Sequence, residues 1–144
     1  MNIFFLTRLI IDSENYDFYN IVRWIPNNMF EKKKIILPVN LGNCHWATVV
    51  VFTEEKIIKY YDSMGNGGGD ITQSMFRFVT DGWNYIKQSV LPDIEKWKCE
   101  DTKEIPQQNN GYDCGVFCCM FAKFIAADKQ YYFHKKMLLL IIVI

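Results

Sequence analysis

Between Cys114 and Ala126 the chain reads CGVFCCMFAKFIA, with Lys123 its only charge. A segment this apolar has to be covered on nearly every side, so any fold open to the chain must place it in the interior. Phe117, Met120, Phe121, Phe124 and Ile125 recur at spacings of three and four, the period of a helix, and Cys118, Cys119 and Ala122 leave almost no polar face. The stretch before it, QQNNGYD, is polar and carries Asn110-Gly111, a strong turn signal. Asp113 is a residue type that caps a helix by accepting from its first free N–H groups, so a helix is expected to begin there. Cys114 then lies in the first turn. Unpaired N–H groups and the positive end of the helix dipole favour a thiolate at that position, and the thiolate is the nucleophilic form of cysteine.

The chain has 144 residues, half of them apolar, enough for one core and one domain. Formal net charge is zero and the basic residues are scattered. The densest run, Lys32-Lys33-Lys34, suits a solvated loop better than a phosphate-binding stripe, so no nucleic-acid partner is expected. The five cysteines are odd in number and irregularly spaced, and MNIFFLTRLIID is interrupted by Arg8, so no signal peptide is read there. A reducing, intracellular setting follows. The terminal run MLLLIIVI, Met137 to Ile144, falls short of the roughly 20 apolar residues a bilayer span needs. It is read as a core-packing terminal element, with an abnormal or truncated end as the competing reading.

Phe18, Ile21, Val22 and Ile25 have helical spacing, with Asp12 and Ser13 as start signals, which predicts a helix ending near Pro26. Lys34 to Val39 reads as a strand, placed by Pro38 at an edge or near its own end. HWATVVVF (His45 to Phe52) and IIKYYD (Ile57 to Asp62) read as a hairpin. Asp70 is expected to cap a helix carrying Ile71, Met75, Val79, Ile86 and Val90 on one face, with Gly82 as a candidate break. A weaker strand is expected around Trp97 to Ile105. Helices on both sides of a run of strands make the class α+β.

The hairpin carries a further consequence. If Thr53 to Lys56 form its loop, Phe52 faces Ile57, Ala47 faces Asp62, and His45 is the diagonal neighbour of Asp62, roughly 7–8 Å away at Cα. A turn tighter by two residues sets His45 and Asp62 directly opposite. Either register puts imidazole and carboxylate on one face, and a slip of one residue separates them. Such a carboxylate fixes the imidazole tautomer and leaves the other ring nitrogen to take a proton from a thiol. Cys114 is the best nucleophile for that pair. Gln108, in the same turn-rich loop, can offer its side-chain amide to the oxyanion of a tetrahedral intermediate, beside the backbone N–H of Cys114.

The segments CHWATVV, YYDSMG and IPQQNNGYDCGVF, in this order, resemble the catalytic segments of the Ulp/SENP-type SUMO-specific cysteine proteases, whose fold is papain-like. The resemblance runs from about Phe4 to about Asp128, and the last segment is highly specific. It implies hydrolysis after the C-terminal Gly-Gly of a SUMO-like modifier, in precursor processing or in deconjugation from a target lysine. His45 matches the general base, Asp62 its orienting acid, Cys114 the nucleophile and Gln108 the oxyanion donor. Trp46 matches the aromatic wall over the narrow channel that accepts Gly-Gly. The resemblance also implies a monomer in nucleus or cytoplasm, with the modifier and its conjugates as partners and no cofactor. In the family a further stretch precedes the part resembling MNIFFLTRL and supplies a second channel wall. The expectation is therefore a single catalytic domain over residues 1–144 without that stretch.

Plainer readings exist for each feature. Cys118 and Cys119 are expected in the core, Asp62 alone would cap the following turn, and Trp46 alone would be a strand core residue. Gly65-Asn66-Gly67-Gly68-Gly69 lacks the Gly-Lys-Ser/Thr of a phosphate loop and reads as flexible. Cys114, Cys118, Cys119 and His134 match no zinc spacing, so no metal is expected. Gln107 reads as a loop residue without a chemical role. Two other functions are weighed: a modifier-binding remnant of the same fold without turnover, and acyl transfer to a protein side chain, for which there is no dedicated acyl-CoA phosphate site.

Overall fold

A computed structural model describes residues 16–130. The start signals Asp12 and Ser13, the segment MNIFFLTRLIID, His134 and the run MLLLIIVI lie outside the described residues. Strands β1 (Lys34–Leu41), β2 (His45–Phe52), β3 (Ile57–Tyr61) and β4 (Lys98–Asp101) form one sheet in that order. The first three run antiparallel and β4 runs parallel to β3, so the sheet is mixed and the class is α+β. Helix α1 (Gly69–Lys87) covers one face and helix α2 (Cys114–Ala126) the other.

This layering explains why β2 is apolar along its length. Ala47, Val49 and Val51 pack with Leu37, Val39, Ile58 and Tyr60 beneath Met75, Phe78 and Val79 of α1. Val50 and Tyr61 point the other way, into Phe117, Met120, Phe121 and Ile125 of α2. A strand buried on both faces has no need of alternation. Pro38 lies in β1, at an edge of the sheet, where its missing N–H removes no ladder bond. The β2–β3 register pairs Phe52 with Ile57, the first of the two anticipated registers.

Several expectations are corrected. In place of a helix before Pro26 there are two 3₁₀ turns, Phe18–Asn20 and Val22–Trp24. Phe18, Ile21 and Ile25 are still buried. The Asp17 carboxylate accepts from Tyr19 N, and Ile25 turns extended because the residue before a proline avoids the helical region. Helix α1 is capped at Gly68, with Asp70 inside its first turn and making no side-chain cap. It runs through Gly82 unbroken, where the helix packs against Met29 and Phe30. It stops at Lys87, where Gln88 takes a left-handed conformation and its side-chain amide donates to Tyr85 O, so Val90 is off the helix and exposed. Strand β4 ends at Asp101, whose carboxylate turns to accept from Gly68 N at 2.9 Å.

That last bond pins the glycine run. A Cβ on Gly68 would lie 2.3 Å from Tyr60 Cγ, so the backbone rests on the buried tyrosine ring, and Gly65 takes a φ of +76° as its N–H donates to Asp62 O. The reading of this run as a flexible loop is therefore corrected at both ends. Gly68→Ala is expected to cost about 1–3 kcal/mol, the usual penalty for overpacking, measured as a lowered urea midpoint at unchanged m-value.

Candidate active site

Asp62 follows directly on β3, and its placement begins as local chemistry. Its Oδ1 accepts from Met64 N at 2.8 Å, forming the turn that leads the chain away from the sheet. The same oxygen accepts from His45 Nε2, also at 2.8 Å. Oδ2 accepts from Tyr60 Oη at 3.2 Å. The residue is only 2% exposed, so these three donors replace the water the carboxylate has lost. Asp62 thus caps its turn and also orients a histidine. Tyr60, two residues back on the same face, was not anticipated. Burial first, and then the neighbouring Asp62 carboxylate, push its phenol above the ordinary tyrosine range, which keeps it a hydrogen-bond donor. With Nε2 committed to Asp62, His45 has Nδ1 to offer.

Cys114 is the first residue of α2 and is buried. Asp113 stands at the N-cap position but makes no side-chain cap, which corrects the expectation for it. Its carboxylate accepts from Asn110 Nδ2 at 2.6 Å, while Asn110 Oδ1 accepts from the backbone N–H groups of Tyr112 and Asp113. The loop is wound around Asn110, and the first turn of α2 is left without a side-chain acceptor. An uncapped helix start is a favourable place for a thiolate or an oxyanion.

The N-terminal half of α2 is packed along β2. Cys118 Sγ donates to Ala47 O at 3.2 Å, and Thr48 Oγ1 donates to Cys118 Sγ at 3.1 Å. Toward the N-terminus of the helix, the Cα of Gly115 faces Trp46, whose Cδ1 lies 3.6 Å from where a Cβ would sit. Moving back along α2 from Cys118 to Cys114 therefore tracks back along β2 toward its first residue, His45. Burial pushes the Cys118 thiol up to about 11, so it stays protonated at neutral pH. Cys119, expected in the core, is exposed. Adjacent residues on a helix point about 100° apart, so only one of the two can face β2.

Gln108 is held at three points. Its N–H donates to Ser63 O at 2.9 Å, its Oε1 accepts from Ser63 Oγ, and its Nε2 donates to Asn110 O at 2.7 Å. The neighbouring Gln107 packs on Gly65 instead. Trp46 is partly buried, beside the start of α2. Tyr60, Ser63 and Asn110 are the site residues that sequence reasoning missed. Tyr60 had a visible signal in its place two residues before Asp62, and Asn110 had one as the turn residue before Gly111, whereas Ser63 had none. Among the described residues no group of three or more His, Cys, Asp or Glu side chains is placed to hold a metal, and no helix is long and apolar enough to cross a membrane.

Comparison with known proteins places the chain in a family. The family described as Ulp1 protease family, C-terminal catalytic domain, matches residues 1–139. Human sentrin-specific protease 2 is 38% identical over 110 residues, covering 74% of this chain and 18% of that protein. Among solved structures, SUMO protease Ulp1 with its catalytic cysteine oxidized to a sulfonic acid superposes with a TM-score of 0.79 at 28% identity, covering 96% of this chain and 62% of that one. The Ulp1 protease domain in complex with SMT3, the yeast ortholog of SUMO, gives 0.76 at 29% identity, with 96% and 61% covered. The chain belongs to the Ulp1 protease family and has its papain-like α+β fold. It spans less than a fifth of the length of the human relative.

Two outcomes follow. Tyr60→Phe, which leaves Asp62 Oδ2 buried without a donor, is expected to cost about 1.5–3 kcal/mol in denaturant unfolding. Under iodoacetamide at neutral pH, peptide mapping is expected to find Cys118 unmodified in the folded protein and alkylated only after unfolding.

Proposed function

We propose that the protein is a cysteine isopeptidase that cleaves after the C-terminal Gly-Gly of a SUMO-like modifier, in precursor processing or in release from a target lysine. The observation that carries this reading is the partly buried His45–Asp62 pair, 2.8 Å between Nε2 and Oδ1, at the start of the strand on which the Cys114 helix is packed. His45 Nδ1 takes the proton of the Cys114 thiol as the sulfur attacks the glycine carbonyl. The tetrahedral oxyanion is met by Gln108 Nε2 and the backbone N–H of Cys114. On collapse the C–N bond breaks, the imidazolium gives its proton to the leaving amine, and a thioester remains on Cys114. Water, deprotonated by His45, then attacks the thioester and releases the modifier's carboxylate.

The modifier class is supported by kinship. Ulp1, a structural relative, is solved in complex with SMT3, the yeast ortholog of SUMO. Trp46, packed on Gly115, is proposed as one wall of a channel beside the nucleophile that accepts the Gly-Gly end of the modifier. An intracellular setting, in nucleus or cytoplasm, is part of the same proposal.

A SUMO probe ending in a C-terminal electrophile tests the assignment. Covalent labelling is expected to vanish in Cys114→Ala and His45→Ala and to persist in Cys118→Ala; labelling at Cys118 would reject it. On a SUMO–Gly-Gly fluorogenic amide, Gln108→Ala is expected to lower kcat by roughly 10²–10³-fold, the usual loss for one oxyanion donor.

A further inference from the structure

We infer that Ser63 is a positioning residue that holds the Gln108 carboxamide in the orientation the Asn110 carbonyl selects, with Nε2 free to face the reacting carbonyl, an inference that rests on the reading of Gln108 as oxyanion donor. A carboxamide has two orientations of nearly the same shape, related by exchange of its oxygen and its NH₂. Only one of them stabilises an oxyanion. In the other, Oε1 takes the place of the donor and repels the developing charge.

The environment of Gln108 discriminates between the two. On one side lies Asn110 O, 2.7 Å from Nε2, and a carbonyl oxygen can only accept. On the other side Ser63 Oγ meets Oε1, and a hydroxyl there can donate. Turning the amide over would set Oε1 against the Asn110 carbonyl oxygen, so the Asn110 contact selects the orientation and the Ser63 hydroxyl satisfies its consequence. Nε2 carries two hydrogens. One is used by Asn110 O, and the other is left for the substrate.

Ser63 is 1% exposed, so no bulk water stands ready to replace its hydroxyl. Its carbonyl separately accepts from Gln108 N at 2.9 Å, a backbone bond that survives removal of the side chain. Ser63→Ala therefore isolates the hydroxyl while keeping the loop latched. Ser63 also follows Asp62 directly, so one dipeptide holds the imidazole through the first residue and the oxyanion donor through the second.

The test is a double-mutant cycle on a SUMO–Gly-Gly fluorogenic amide, with Ser63→Ala, Gln108→Ala, the double variant, and Cys114→Ala as the blank. Ser63→Ala is expected to lower kcat roughly 3- to 10-fold, the size of one lost neutral hydrogen bond, with KM unchanged. In the Gln108→Ala background the same substitution is expected to cost nothing more. An undiminished loss in that background, or no loss in the parent, overturns the role of Ser63. Ser63→Cys, nearly the same size and a weaker donor, serves if the alanine variant does not fold. Its kcat is expected to fall between those of the parent and Gln108→Ala, and parental kcat would overturn the inference. Turnover by Cys114→Ala, or full activity in Gln108→Ala, would instead reject the proposed function, so the two failures are distinct.

Discussion

A carboxylate taken out of water has to be given donors, and here that requirement falls on Asp62. Three of them converge on it from three pieces of chain: His45 at the start of β2, Tyr60 within β3, and Met64 in the turn beyond. Tyr60 and Met64 are local to Asp62, but His45 arrives only if the β2–β3 register is right, because a slip of one residue would turn it to the opposite face. The packing beneath depends on it too. The Tyr60 ring that reaches Asp62 is also the surface on which Gly68 rests, and Gly68 N is tied to Asp101 on β4. The loop after β3 is thereby held from below.

The second constraint is the apolar helix. Its composition requires a sheet to cover it, and β2 supplies one, with the Cys118 thiol bonded to the Ala47 carbonyl at the contact. Two thiols one helical turn apart end in different surroundings. Cys118, in the packed contact, is raised by burial and kept as a thiol. Cys114, at a helix start that no side chain caps, stands where an anion is favoured. The usual N-cap residue is present as Asp113, but Asn110 occupies its carboxylate, which keeps a negative charge from closing over the helix start.

The parts of the fold that could be read from the chain are those governed by period or by short loops. The hairpin was legible because the turn residues Thr53 to Lys56 leave few registers, and the observed one pairs Phe52 with Ile57 as counted. The long helix was legible from its stripe, although its end was misjudged: hydrophobic spacing does not report that Gln88 will adopt a left-handed conformation and release Val90 to solvent. The segment before Pro26 kept its buried positions and lost its helix. A 3₁₀ turn also brings residues three apart onto one side, so the same spacing serves both.

Burial of the Cys114 helix could be read from the chain because it follows from side-chain period alone, and the short hairpin loop was enough to put His45 and Asp62 on one face. Which polar groups meet could not be read: that Asn110 takes the Asp113 carboxylate, that Cys118 and not Cys119 meets β2, and that Ser63 grips Gln108 emerge only in the folded chain. Those outcomes are competitions among polar groups or rotations of a helix, settled when distant loops dock. A hydroxyl has no preferred partner until the fold brings one within reach and removes the water that would otherwise serve.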